Sequence, residues 1–521
     1  MVDVNAIERR RLVEQVRLDS LKTPEKRNEL GQFATPPALA IDILQFAKTL
    51  WTDKTKVRFL DPAIGTGSFY SALLNVFGRD PIDYADGFEV DPAFAEAAKS
   101  LWGESDLAVG LNDFTTLDPQ QQRKYNLIVS NPPYVRHHHM SADYKTGLQE
   151  TVVQRLGIRT SGLAGLYSFF LLLCDSWLEP DGLSLWLIPS EFMDVNYGEA
   201  VREYLTTKVQ LLQIHRFCPS DVQFTDALVS SAIVVFRKAK AKADGLVEMS
   251  FGGPLLDPAK SAHVTLETLK AARKWSGFPS AQAKGSNGHK QVCLGDLFHI
   301  KRGLATGSNE FFILSIEQAD EVGIPNEFRR PILPGPRFVQ QDVIEGDADG
   351  YPIITPRLVL IDCPLSEDEI KARHPAFWRY LDKGKEAGID ATYLASRRMP
   401  WYSQEKRPPA PFLSTYMGRT RNGKKPFRVI WNKSGATAHN VYLLLYPKLD
   451  LAAALSREPS LSSVVFEHLQ SIEGDTFVGE GRVYGGGLHK MEPKEMERVP
   501  LEKLADVLTA SGAYRGQASL F

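Results

Sequence analysis

Cysteine is scarce. The 521 residues hold four, Cys174, Cys218, Cys293 and Cys363, and no two form a C-x-x-C pair. That spacing argues against a disulfide framework or a zinc knuckle and leaves buried free thiols as the expectation. No apolar run approaches the roughly 18 residues that cross a bilayer. The opening "MVDVNAIERRRLVEQVRLDS" has cations but no apolar core, so it does not read as a secretory signal. The expected compartment is the cytoplasm, with no membrane partner. Net charge is nearly absent, at -2, so any polyanionic partner must be judged from local charge. Internal repeats are lacking. Three consecutive histidines, His137 to His139, do not make a metal site, because neighbouring side chains point apart; no metal is expected.

What is present is the composition of a globular protein, 43% hydrophobic and 24% charged, in a chain too long for a single core. From Gly31 to about Lys238, short apolar strands alternate with helical segments. "KVRFLDP", "IDYADGFEVD", "YNLIVSNPPY", "LSLWLIPSEFM" and "ALVSSAIVVFRK" read as strands. "SFYSALLNVF", "PAFAEAAKSLW" and "LYSFFLLLCDSWLEPDG" read as helices, the last ended by Pro180 and Gly182. Near-continuous apolar strands alternating with helices predict an α/β fold, a doubly wound Rossmann-like sheet buried on both faces. After Lys238 the texture turns polar, and "SAQAKGSNGHK" reads as a linker. From about Gln291 an irregular α+β domain is expected.

The strand ends carry the chemistry. "VRFLDPAIGTGSF" runs strand, Asp61, Gly65-x-Gly67, helix, which lets backbone N–H groups approach a ligand closely. Tyr70 stands where a dinucleotide fingerprint has its third glycine, and no G-K-[ST] follows, so it is neither that motif nor a P-loop. Glu89 ends the next strand, placed to bind ribose hydroxyls. In "VGLNDFTTLD", Asn112 and Asp113 end a third strand; Asp113 can accept from an adenine amino group and Phe114 can pack on its ring. Together these read as an S-adenosylmethionine site, with the amino-acid tail and sulfonium beside Asp61.

"YNLIVSNPPYVRHHHM" sets Asn131-Pro132-Pro133-Tyr134 at the end of a fourth strand. An exocyclic amine on a planar base is a poor nucleophile, because its lone pair is delocalised. The Asn131 side-chain oxygen and the Pro132 carbonyl can accept its two hydrogens and aim the lone pair at a methyl group, with Pro133 limiting reorganisation. Tyr134 offers an aromatic face for the base.

From Gly31 onward the chain resembles the gamma-type N6-adenine DNA methyltransferases of restriction–modification systems. "GQFATPP", "DPAIGTGSF", "GFEVDP", "NDF" and "NPPY" stand in that family's order. The resemblance implies that Thr35 meets the methionine carboxylate, and that Ala63, Val90 and Pro133 join Asp61, Gly65, Gly67 and Glu89 around the cofactor. It implies that an aromatic in "VQFTDALVSSAIVVF", Phe224 by position with Phe217 the weaker candidate, sandwiches a flipped base. It further implies an N-terminal helical arm at 1–30, a catalytic domain at 31–240, a connector at 241–290 and a DNA target-recognition domain at 291–521. The arm's segment Glu8 to Arg27 suits either a DNA contact or a packing helix. "DLFHIKRGLATGSNEFFIL" opens the recognition domain in this reading and "GGGLHKMEPKEMERVPL" closes it, with Arg302, Asn309, Arg419, Arg421, Lys424 and Lys425 as DNA contacts. Residues 397–433 hold ten Lys/Arg against one acid, interleaved with Trp401, Tyr402, Phe412, Tyr416, Phe427 and Trp431, which suits phosphate and base contacts.

The expected reaction is methyl transfer to adenine N6 in duplex DNA by a monomer, alongside a separately encoded restriction endonuclease. RNA and protein-glutamine methyltransferases share the tetrapeptide, but the long C-terminal region and "GQFATPP" argue against them. A fused nuclease is not expected, since no P-D…[DE]-x-K set is found and about thirty residues precede the first motif. An idle DNA-binding scaffold is disfavoured by the intact NPPY.

Overall fold

The computed structural model describes residues 3–52, 55–218, 230–240, 245–278, 292–419, 425–484, 488–501, 504 and 507–509. The chain forms two compact units, Met1–Gly285 with Tyr484–Gly486, and Ser286–Val483 with Gly487–Phe521.

The first unit is built on a nine-stranded sheet. Its strands are β1 (Val57–Asp61), β2 (Ile82–Glu89), β3 (Leu107–Leu111), β4 (Tyr125–Ser130), β5 (Leu178–Pro189), β6 (Gln210–Arg216), β7 (Ser231–Arg237), β8 (Leu246–Phe251) and β9 (Lys260–Thr265). They lie in the order β3-β2-β1-β4-β5-β7-β6-β8-β9. β1 pairs in parallel with both β2 and β4, so the winding reverses between β1 and β4. This is the switch point of a doubly wound sheet, where loops from two neighbouring strand ends part and leave a crevice. β7 runs antiparallel between β5 and β6.

Helices α1 (Val4–Ser20), α2 (Pro24–Leu30), α3 (Pro37–Thr49), α4 (Ser68–Phe77), α5 (Pro92–Trp102), α6 (Ala142–Leu156), α7 (Leu166–Leu173) and α8 (Glu199–Thr207) also belong to this unit. α7 is buried along its whole length, as its apolar sequence requires. Two expectations are corrected. The helix read as running to Pro180 stops at Leu173; β5 starts at Leu178 and carries Pro180 and Gly182 with Asp181 at φ 61. The segment read as a connector, 241–290, contributes β8 and β9, whose Val247, Met249 and Val264 join the core. Among the described residues no helix is long and apolar enough to cross a membrane.

The N-terminal segment packs. Leu18 of α1 clusters with Phe94 and Ala97 of α5. Arg11, 1% exposed, is paired with Glu8 and donates to the Thr66 hydroxyl at 3.1 Å. Lys22 is ion-paired with Asp91.

The second unit carries a five-stranded sheet and two smaller ones. Strand Phe298–Arg302 pairs antiparallel with Tyr442–Pro447, and the chain then turns through Gly303 into the glycine-rich loop. A Cβ on Gly303 would lie 2.2 Å from the His439 carbonyl oxygen. The loop is braced by Arg398, whose guanidinium donates to the carbonyls of Ala305 and Thr306. The Gly303 position is therefore a close backbone approach. Gly303→Ala should destabilise this unit by about 2 kcal/mol or more. Gly335→Ala, where a Cβ meets nothing within 4 Å, should leave it nearly unchanged. Thermal denaturation of both variants checks this; equal melting temperatures would contradict it.

Candidate active site

Asp61, Glu89, Leu111 and Ser130 are the last residues of four neighbouring parallel strands, so the loops that follow share one edge of the sheet. The glycine loop follows β1 and the tetrapeptide follows β4, on the two sides of the switch point.

Asn131 is held from one side only. Its Nδ2 donates to the Phe33 carbonyl at 2.9 Å and to Thr35 Oγ1 at 3.1 Å. Because the Phe33 carbonyl can only accept, the amide orientation is fixed. Its Oδ1 is buried and has no hydrogen-bond partner among the described residues. No donor among the described residues reaches the Pro132 carbonyl either. A buried acceptor left unpaired costs about 1–3 kcal/mol, so the Asn131 oxygen is an unusual outlay unless a ligand supplies the donor.

The Gly31–Pro37 segment makes this possible. Gly31, at φ 66, ends α2 and its carbonyl accepts from the Tyr134 amide at 3.1 Å. A Cβ there would lie 2.3 Å from that nitrogen. The Phe33 ring packs on Tyr134 with centroids 5.7 Å apart. Tyr134 itself is buried, and its hydroxyl donates to the Leu187 carbonyl at 3.0 Å. Thr35 is also buried, and its carbonyl accepts from Ser68 Oγ.

Asp61 is 1% exposed and accepts from the Ala63 amide at 3.1 Å and from Ser130 Oγ at 3.0 Å. Burial, opposed by these bonds and reinforced by the Glu89 charge, pushes its carboxyl up to about 7. Glu89 spans toward the glycine loop, accepting from the amides of Gly65, Val90 and Asp91. Burial raises its pKa too. Gly65, at φ 53, has nothing within 4 Å of where a Cβ would stand. Gly67, at φ 91, has a packing cause: a Cβ would lie 2.3 Å from Trp102 Nε1, which donates to the Thr66 carbonyl. Val90 is 67% exposed, while Phe114 is 2% exposed and packs on Phe88, Phe170 and Trp177. Asn112 is exposed. Asp113 accepts from the Thr115 amide and hydroxyl and from Tyr144 Oη at 2.8 Å.

Sequence reasoning missed several supporting groups. Ser130, Tyr144, Arg11 and Gln15 each bond a residue of these loops, yet only Ser130, directly before the tetrapeptide, was signalled by position. Phe224, Arg421 and Lys424 lie outside the described residues. Phe217 is buried against His215, with ring centroids 4.9 Å apart.

In the second unit Arg302 is exposed, donates to the Asn440 carbonyl and lies 4.0 Å above the Tyr416 ring. Asn309 accepts from Thr306 Oγ1 within its own loop. Arg419 is exposed on strand Met417–Arg419, and Lys425 donates to the Gln470 carbonyl. The aromatics of 397–433 are corrected: Trp401, Tyr402, Phe412, Tyr416 and Phe427 are buried in the unit's cores rather than displayed. Several further cations there are tied inward or paired: Arg398 to loop carbonyls, Arg407 to Glu405, Arg428 to Asp342 and Lys433 to Glu345.

Residues 67–224 match the family model of the Eco57I restriction-modification methylase, and residues 283–515 match that of the Type II methyltransferase M.Eco57I C-terminal domain. The chain is 30% identical over 460 residues to Type II methyltransferase M.XamI of Xanthomonas campestris pv. amaranthicola, covering 86% of this chain and 81% of that protein. It is 27% identical over 496 residues to Type II methyltransferase M.AccI of Acinetobacter calcoaceticus, covering 91% and 85%. The solved structure of the Type IIL restriction-modification enzyme MmeI in complex with DNA shares the fold at a TM-score of 0.50 and 12% identity, over 87% of this chain and 63% of that one.

Asp61 yields a pH prediction. Its folded pKa stands above the ordinary 3.8, so its proton is bound more tightly in the folded state. The associated stability is complete below that value and is lost as pH rises through about 7. Relative to Asp61→Asn, the unliganded wild type should lose stability between about pH 4 and 7, by on the order of 4 kcal/mol at most. Urea denaturation of both proteins across that range measures it; a difference that stays flat with pH would refute the assignment.

Proposed function

Because the chain belongs to the type II DNA methyltransferases of restriction–modification systems, a family that methylates DNA, we propose that it transfers a methyl group from S-adenosylmethionine to N6 of an adenine extruded from duplex DNA. The observation that carries this reading is the buried, unpartnered Asn131 Oδ1, oriented by the Phe33 carbonyl and Thr35. With the Pro132 carbonyl it offers two acceptors from adjacent residues, as a primary amine on a planar ring requires.

S-adenosylmethionine, when bound, supplies an electrophilic methyl group on a sulfonium. The residues present fit it. The open, positive-φ Gly65 leaves room beside the backbone, Glu89 can take the ribose hydroxyls, and exposed Val90 offers an apolar face for adenine. Asp113 can accept from the adenine amino group. Asp61, held near neutrality by burial, is poised to ionise against a ligand ammonium. Thr35, Ala63, Gly67, Asn112, Phe114 and Pro133 line or shape the same loops.

On the substrate side, Asn131 Oδ1 and the Pro132 carbonyl accept the two amine hydrogens. As nitrogen becomes tetrahedral and gains positive charge, these bonds strengthen, so they stabilise the transition state more than the ground state. The Tyr134 ring, fixed by its own hydroxyl bond, borders the base, and Phe224 is assigned the opposite face. A base within a duplex cannot reach such a site, so it must be extruded at a cost of a few kcal/mol. The second unit is assigned to DNA recognition, with Arg302, Asn309, Arg419, Arg421, Lys424 and Lys425 as its first contacts. The enzyme is placed in the cytoplasm, acting as a monomer beside a separate nuclease.

Incubation with tritiated S-adenosylmethionine and unmodified duplex DNA should place label in N6-methyladenine. Label confined to cytosine, RNA or protein would sink the proposal. Asn131→Ala should lower kcat by about 100-fold or more while S-adenosylhomocysteine affinity stays within about threefold; retained activity would refute the role of Oδ1.

A further inference from the structure

Tyr167 is a second buried polar group without a use in the reaction above. It lies on α7, a helix apolar except for Tyr167 and Ser168, and is 2% exposed. Its hydroxyl has no hydrogen-bond partner among the described residues. The start of α7 is docked on the chain directly after the tetrapeptide, where the Leu166 amide donates to the Val135 carbonyl at 3.0 Å. At Gly165 a Cβ would lie 3.2 Å both from the Tyr167 ring and from the Val135 oxygen, so a side chain there would have to push one of them away by a few tenths of an ångström. The groups that bear on the hydroxyl are Glu191, Tyr197, Tyr134 and the Ser168 hydroxyl, the last without the geometry of a hydrogen bond. Glu191 follows the end of β5 and Tyr134 the end of β4. The Tyr167 ring is therefore held near the chain that leaves β4, directly past the tetrapeptide.

We infer that Tyr167 reads the extruded base by donating its hydroxyl proton to a ring nitrogen, an inference that rests on the adenine reading above. A solvated or core-bonded tyrosine needs no further partner, but a buried hydroxyl with none is destabilising. Burial also pushes its ionisation well above the ordinary tyrosine value, so at neutral pH it is a donor. A purine presents ring nitrogens as acceptors, and Asn131 and Pro132 present only acceptors, which cannot satisfy them. One donor beside two acceptors complements the edge pattern of adenine. A donor on a ring nitrogen draws density away from the amino group, so it does not hasten methyl transfer. Its contribution is to hold and select the base, which makes it a specificity residue.

The test is Tyr167→Phe. Removing an unpaired hydroxyl should leave the melting temperature unchanged or raised. The KM for DNA should rise about tenfold or more, with kcat within about threefold. On duplexes carrying the site mapped with the wild-type enzyme, one of 1-deaza-, 3-deaza- or 7-deazaadenine at the target should lose the wild-type advantage over Tyr167→Phe. Wild-type KM in the variant, a penalty equal for all three analogues and adenine, or a KM rise that tracks a fall in melting temperature would each overturn the inference. Failure of the adenine reading is seen separately, as wild-type label outside adenine.

Discussion

One side-chain amide governs the arrangement of the candidate site. Asn131 can present an unpaired oxygen only because something else consumes its NH2 group. That something is a segment nearly a hundred residues earlier in the chain, where the Phe33 carbonyl and the Thr35 hydroxyl accept both hydrogens. The rest follows from bringing those two loops together. Gly31 must be glycine, because its Cβ would occupy the Tyr134 backbone. Tyr134 must be anchored through Leu187, because its ring supports Phe33. α1 and α2 then lie across the same region, and Arg11 and Gln15 fix the Thr66 hydroxyl within the glycine loop. The N-terminal segment is thus a brace for both halves of the site rather than an appendage.

The second unit shows the opposite economy. Its glycine-rich loop resembles a ligand cradle in sequence, but its glycines answer to packing. Gly303 allows the His439 carbonyl to approach, and Gly307 at φ 95 turns beside Thr392. Arg398 occupies the loop carbonyls with a guanidinium. A loop whose carbonyls are already bonded is rigid, which is what the proposed DNA contact at Arg302 needs.

Much of the first unit was legible because its punctuation coincides with its chemistry. An acid or asparagine at the end of an apolar strand marks both where the strand stops and where a ligand can be held, so Asp61, Glu89 and Asn131 located themselves. The miss at Leu173–Leu178 has the reverse cause. Pro180 and Gly182 signal a break, but β5 absorbs them before its fully apolar run begins, with Asp181 at positive φ. β8 and β9 were hidden because neither is a continuous apolar run: Leu246–Phe251 mixes buried and exposed residues, and the edge strand Lys260–Thr265 buries only Val264. The stretch 397–433 misled through mixing: cations and aromatics adjacent in sequence face opposite ways once the aromatics enter the cores. Supporting partners such as Tyr144, reaching Asp113 across 31 residues, leave no local signal at all.

Two carboxylates at one sheet edge raise a final point about why the site costs stability. Asp61 is buried and Glu89 half-buried; the Glu89 charge raises the pKa of Asp61, and the Asp91 charge raises that of Glu89. Had the fold needed these positions only for packing, apolar residues would serve better. The backbone amides of Ala63, Gly65, Val90 and Asp91 instead hold the carboxylates in place without cancelling their charge. Such an arrangement favours a ligand that brings positive charge and hydroxyl donors of its own. The same logic runs through Asn131, whose buried oxygen is desolvated in advance and open to a donor. Electrostatic preorganisation of this kind is paid for during folding, which is why the site depends on an N-terminal brace and a fully buried α7 for its rigidity.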